Sequence, residues 1–175
     1  MLCVMSPFTP DVHVSLTAAE TDYAYLAGIL DGEGYFSASP KTNSFGLRVA
    51  MTERAPIDFI HSRFAGNLSN GGKTSAGNQV YVWYLQRLAD LDHVLPRLMP
   101  YLHLKGPEAE AMLELVQHKI ARPRWDVPSS RLSPQQRLRE GRKDVVQAWT
   151  DRSLELRSAV VTARNGRNVG VERIK

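Results

Sequence analysis

Leu26-Ala-Gly-Ile-Leu-Asp-Gly-Glu-Gly34 decides how this chain of 175 residues is read. Together with Ala24, its small and short residues Ala27, Gly28, Asp31 and Gly32 recur at i, i+3, i+4, i+7 and i+8. On a helix that spacing leaves one face nearly bare of side chain, so another backbone can approach it closely. Tight packing on the chain's own core accounts for the same residues. Gly32 and Gly34 end the helix. The two acids, Asp31 and Glu33, fall at its C-terminus, where a negative charge opposes the macrodipole by roughly 0.3–1 kcal/mol each. A divalent cation with oxygen ligands would offset that charge.

Upstream, Thr17-Ala-Ala-Glu20 reads as a capping box, or Thr21 caps a shorter helix. Downstream, Tyr35 to Ser39 predicts a strand, residues 40–44 a turn, and Phe45 to Glu53 a second strand of period two. Leu47, Val49 and Met51 then share one face, Arg48, Ala50 and Thr52 the other. Pro56 opens a helix carrying Ile57, Ile60 and Phe64 before Gly66. A second β pair spans Asn67 to Gln86, with a loop over Ser69–Asn78 and the aromatic strand Val80-Tyr-Val-Trp-Tyr-Leu85. A helix near Asp90–Met99, a loop Tyr101–Gly106 and a helix from Pro107 toward Ala121 complete the order α-β-β-α-β-β-α-α. The fold class is α+β, an antiparallel sheet with helices on one face. Residues 1–16 form an N-terminal arm, 17–121 the core, and 122–175 an extension, partly helical or disordered, in which Val145, Val146, Trp149 and Leu156 offer docking residues.

Composition narrows the function. With 43 % apolar and 23 % charged residues the chain is globular rather than disordered. No run of about 18 apolar residues predicts a membrane span. The single Cys3 excludes an internal disulfide, and the five histidines lack zinc-ligand spacing. The net charge of +4 is unevenly spread: residues 1–36 carry five acids and no Lys or Arg, whereas residues 121–175 carry thirteen basic and six acidic residues. A basic body with carboxylates retained points to a polyanionic partner and a metal; a cationic but otherwise ordinary soluble protein has the same charge balance. The sheet face bearing Ser37, Ser39, Lys41, Arg48 and Thr52 is either simply solvated or a reader of nucleic acid.

Leu26–Gly34 resembles the LAGLIDADG signature of homing endonucleases, departing from it at Ile29, Leu30, Gly32 and Glu33 by similar residues. The αββαββα order and Tyr101-Leu-His-Leu-Lys-Gly-Pro-Glu-Ala-Glu110 are similar to that family's core and its late lysine segment. The likeness covers about residues 20–120. It implies that two copies pair about a two-fold axis through Ala24, Ala27, Gly28 and Asp31, because the chain carries one signature. It further implies Glu33 as the catalytic acid, with Glu33 and the Gly32 carbonyl as ligands of Mg²⁺, for which Mn²⁺ or Ca²⁺ could substitute in binding. Glu53 falls near the family's water-positioning residue, a slot that Met51 or Thr52 fills in another register. Lys105 falls on the family's basic residue beside the scissile phosphate. Tyr35, Ser37, Ser39, Lys41, Arg48, Ala50 and Thr52 would face DNA, joined by Lys73, Asn78 and Tyr84 or Gln86. The tail arginines either contact phosphate or only solubilise.

The function implied is a homodimeric, Mg²⁺-dependent endonuclease that cuts a roughly palindromic DNA duplex and leaves 3′ overhangs, with no membrane partner. The alternative is a non-cleaving DNA- or RNA-binding protein on the same scaffold, a maturase or a transcriptional regulator. The corresponding location is the cytoplasm (nucleoid) if a bacterium or phage encodes the chain, or an organelle if an intron there encodes it.

Overall fold

The computed structural model describes residues 18–39, 44–121 and 143–169. The expected N-terminal arm, Thr17 and Lys41 lie outside them. Helix α1 (Glu20–Glu33) leads into strands β1 (Gly34–Ala38) and β2 (Phe45–Met51). Helix α2 (Arg54–Phe64) then precedes β3 (Asn67–Lys73) and β4 (Gln79–Leu85). Helix α3 (Leu88–Leu98), a 3-10 turn (Met99–Tyr101), α4 (Gly106–Ile120) and α5 (Lys143–Val169) follow within the described residues. The α+β order read from the sequence is the order observed. Among the described residues no helix is long and apolar enough to cross a membrane.

Helix α1 starts without a hydroxyl cap. Its N-cap is Ala19, whose N–H donates to the Asp22 carboxylate at 2.9 Å, so neither Thr17 nor Thr21 fills that place. A side chain three residues into the helix reaching back is half of the expected capping box, moved two residues along.

The sheet has the order β1-β2-β4-β3, antiparallel throughout. Its period-two pattern sends Phe36, Ala38, Leu47, Val49, Trp83 and Leu85 into one core, which the helices cover. Trp83 is fully buried, and its Nε1–H donates to the Ala65 carbonyl at 2.6 Å. That fixes the α2–β3 turn, where Gly66 takes φ +84° with the Trp83 ring against it, leaving no room for a Cβ.

Two expected boundaries move. Residues 69–73 belong to β3, so the loop is confined to Thr74–Asn78. Ser, Asn and Gly read as turn residues, but pairing with the aromatic β4 overrides that local preference. Within the described part of the extension, Leu156 and Val160 of α5 are buried in the same apolar cluster as α1 and the sheet. Arg157, also buried, donates from Nη1 to the Ser39 carbonyl at 2.6 Å, tying α5 to the end of β1. His118 of α4 stacks on Trp149 with ring centroids 4.9 Å apart. The side chains of Val145 and Val146 lie outside the described residues.

Candidate active site and nucleic-acid interface

Helix α1 divides its residues by face. Tyr23, Leu26, Ala27 and Leu30 are buried in the protomer's own core. Ala24, Gly28 and Gly32 are exposed, with Tyr25 beside them at 44 % exposure. Nothing lies within 4 Å of where a Cβ would sit on Gly28 or Gly32. The bare stripe is therefore open, but Ala27 is not on it. Among small residues the repeat does not say which neighbour turns inward, and Ala27 is the one that did. Tyr25 also meets Phe59 of α2 edge-on at 5.0 Å, forming an aromatic shoulder to the stripe.

Asp31 is also placed differently from its expected interface position. Its carboxylate accepts three backbone N–H groups of one loop: His103 at 2.8 Å, Leu104 at 3.2 Å and Lys105 at 3.0 Å. Lys105 returns the contact. Its ammonium, 4 % exposed, donates to the Leu30 carbonyl and to the Gly34 carbonyl at 2.5 Å. The C-terminus of α1 thus gains a cation on its carbonyls, and Asp31 gains donors. That resolves within the chain the dipole conflict expected from the sequence. The Lys105 ammonium, expected beside a scissile phosphate, is buried against the carbonyls of the signature turn.

Glu33 is the acid that stays open. It ends α1, is exposed, and shows no hydrogen bond or ion pair within the described residues. Gly34 follows it, hydrogen-bonded back to the Ile29 and Leu30 carbonyls and packed against Leu30. Register pairs Gly34 with Val49, so the end of β2 runs beside Glu33, with Ala50 and Met51 next in line. Glu53 lies beyond, exposed at the N-cap of α2, where its side chain makes no cap hydrogen bond. The strand ends at Met51, short of the expected Glu53.

The sheet face turned away from the helices has the expected membership along β1 and β2. Tyr35 pairs with Arg48, Arg48 with Tyr84, and Ala50 with Val82, while Ser37 pairs with Gly46. The Arg48 guanidinium lies over the Tyr35 ring, 5.6 Å from its centroid, which holds an exposed cation on the face. Gln86 reaches this face beside Gly46. Ser39 and Thr52 continue the alternation at the two strand ends, and Asn78 is exposed in the β3–β4 loop.

Lys73 departs from the face. Asn70 pairs with Tyr81 but Lys73 with Gln79, so one extra residue enters β3 between them. Such a bulge shifts every later side chain to the opposite face, and it carries Lys73 to the helical side. In exchange, Asn67 and Ser69 pair with Tyr84 and Val82 and join the outer face. The alternation Asn67-x-Ser69 was the signal for them, hidden by the loop-like composition that follows.

Among the described residues no group of three or more His, Cys, Asp or Glu converges as a metal site. The candidate ligands the sequence offers there are the Glu33 carboxylate, which is exposed, and the Gly32 carbonyl one residue before it. Those are hard oxygen ligands suited to Mg²⁺ or Ca²⁺, too few from one chain to complete a shell of about six.

No family model and no curated protein matches the sequence. Solved structures do match. The archaeal intron-encoded homing endonuclease I-Vdi141I, complexed with DNA, aligns with a TM-score of 0.51 at 12 % identity over 86 % of this chain and 99 % of its own. The homing endonuclease I-CvuI aligns at a TM-score of 0.47 and 16 % identity over 85 % of this chain and 96 % of its own. The LAGLIDADG meganuclease I-AabMI aligns at 0.47 and 19 % identity over 57 % of this chain and 38 % of its own. The superposition on I-Vdi141I spans most of both chains, and with its four antiparallel strands and covering helices this protein has the fold of the LAGLIDADG homing endonucleases.

Proposed function

We propose that this chain is a sequence-specific double-strand DNA endonuclease that acts as a symmetric dimer with Mg²⁺. The observation that carries it is the position of Glu33: an exposed carboxylate at the end of a helix with an open small-residue stripe, on the rim of the sheet face turned away from the helices, which bears exposed Arg48 and half-buried Tyr35, Ser37 and Tyr84. Pairing two copies through Ala24, Gly28 and Gly32 brings two Glu33 side chains together and joins two sheets into one long concave reader. Arg48, stacked on Tyr35, is preset for a bidentate contact with guanine, worth about 1–3 kcal/mol of discrimination. Ser37, Ser39, Asn67, Ser69 and Gln86 add donors and acceptors along the same face.

Glu33 and the Gly32 carbonyl would hold Mg²⁺ together with the partner copy's equivalents and phosphate oxygens. When bound, Mg²⁺ supplies an activated water and stabilises the leaving 3′ oxygen. Lys105, held behind the turn, balances the negative helix end without touching substrate, and Glu53 or Met51 lines the approach of water. Two sites related by the two-fold axis across a minor groove would leave 3′ overhangs.

The test is cleavage of a randomised duplex library with Mg²⁺ and with EDTA, followed by the selected site with the Glu33→Gln variant. Mg²⁺-dependent double-strand cuts at one sequence, lost in Glu33→Gln, are expected. Cuts that persist in that variant refute the role of Glu33.

A second reading, a non-cleaving binder on the same scaffold, is favoured by one observation: the Lys105 ammonium is buried on backbone carbonyls rather than open. Selection of a tight-binding duplex that no divalent metal causes to be cut would establish it.

A further inference from the structure

We propose that Asp31 is a positioning residue for the Glu33 site, acting through the loop His103–Lys105; the inference rests on the endonuclease reading and adds a residue to it. Five hydrogen bonds join the α1 terminus to that loop. Three amides donate to Asp31, and the Lys105 ammonium donates to the carbonyls of Leu30 and Gly34. These anchors bracket Glu33: Leu30 and Asp31 lie before it, Gly34 after it. Glu33 has no hydrogen bond of its own within the described residues, so its direction is set by the backbone on either side. That backbone ends a helix, where the last carbonyls lack intrahelical partners and fray first. The contacts to residues 103–105 remove that freedom. They also fix which way the Gly32 carbonyl points, because Gly32 lies between two clamped residues.

The loop is itself held. Lys105 is the N-cap of α4, and its carbonyl accepts the Ala109 N–H at 3.0 Å. Ala109, Met112, Leu115 and Val116 of α4 are fully buried. The reference frame for Glu33 is therefore α4 and the core, not the exposed end of α1. Charge supports the same division of labour, since Asp31 needs its negative charge to accept three donors at once.

The test uses Asp31→Asn, which keeps the shape but replaces an acceptor oxygen by a donor nitrogen, and Asp31→Glu, which keeps the charge and displaces it by one methylene. Cleavage of the selected duplex is followed against Mg²⁺ concentration at saturating DNA, with DNA affinity measured separately in EDTA. Loss of a group hydrogen-bonded to a ligand typically weakens metal affinity about 10–100-fold; Asp31 acts one step further out, through backbone, so half-saturating Mg²⁺ rises by about the low end, roughly 10-fold, in Asp31→Asn, with DNA affinity unchanged. In the metal-free protein, amide hydrogen exchange accelerates at residues 103–105 and also at Gly34. A lower melting temperature with unchanged half-saturating Mg²⁺ and unchanged Gly34 exchange makes Asp31 structural only and overturns the proposal. If Asp31→Asn does not fold, Asp31→Glu carries the same measurements. A wild-type protein that cuts no duplex overturns the endonuclease reading instead, and the exchange data still decide whether Asp31 orders Gly34.

Discussion

Gly28 separates a solvated helix face from a face built to receive a second copy. It lies in the middle of α1, exposed, with no atom within 4 Å of the place a Cβ would occupy. In an isolated protomer, Gly28→Ala therefore meets no obstacle and gains helix propensity, about 0.8–1 kcal/mol. Gly28→Leu gains nearly as much by the same propensity scale, since Leu ranks close behind Ala. The outcome reverses where two α1 helices pack through this stripe. Each added side chain then enters the contact twice, once from each copy. Overpacking costs about 1–3 kcal/mol per insertion, so the pair weakens association by about 2–6 kcal/mol, or roughly 30-fold to 20,000-fold. Sedimentation equilibrium over a range of protein concentrations gives the dimer constant, and urea unfolding at low concentration gives the protomer's own stability. Dimerisation lost in Gly28→Leu, with a protomer more stable than wild type, is expected. A variant that gains stability and dimerises within about threefold of wild type would refute the packing argument, because only a face open to water tolerates the change.

Three further outcomes follow from other parts of the molecule. Leu156→Ala empties a buried site shared by α5 and the core, so urea unfolding reports a loss of about 2–5 kcal/mol rather than the near-zero change of a tail. His93 loses proton affinity through burial and through Arg97, which donates to its backbone carbonyl at 2.8 Å and approaches its Nδ1 at 3.2 Å. The unfolded chain then takes up the proton first, so the His93 contribution to stability is complete above its ordinary pKa of 6.5 and is lost as pH falls from there through the lower folded value; in His93→Gln the thermal-melt pH profile is flatter in that window. At protein concentrations where the chain is monomeric, adding Mg²⁺ without DNA leaves the melting temperature unchanged, because one protomer offers no three-residue acidic cluster among its described residues; a site filled at 100 times its dissociation constant would instead add about 2.7 kcal/mol.

The order of elements was legible because each period is long enough to be unambiguous: Ile57, Ile60 and Phe64 at helical spacing, Leu47 and Val49 at spacing two. Face membership along β1 and β2 followed from the same alternation. The end of β3 was not legible, since Asn70-Gly-Gly-Lys73 has turn composition and becomes strand only by pairing with β4. The bulge that moves Lys73 leaves no local mark either, apart from its glycines. The partners of Asp31 lie 72 to 74 residues away along the chain, and no local pattern links them. Docking of α5 was half visible in Leu156, but the core position it fills depends on α4 and β1.

The spacing of the two acids explains how one helix end can be both anchored and open. Residues two apart on an α-helix point about 200° from each other, because each residue turns the chain by about 100°. Asp31 and Glu33 therefore cannot share a face. One faces the protomer's own loop, and there three amides consume its carboxylate. The other faces away from it and stays exposed. A spacing of three or four would have put both acids on one side, where like charges repel and compete for the same donors. The two-residue spacing keeps the structural carboxylate from neutralising the open one. Gly32 between them is exposed and adds no side chain, with nothing within 4 Å of where a Cβ would sit. The acid that must meet a charged ligand is held by backbone fixed through its neighbour rather than by contacts to itself, which leaves all of its oxygens available.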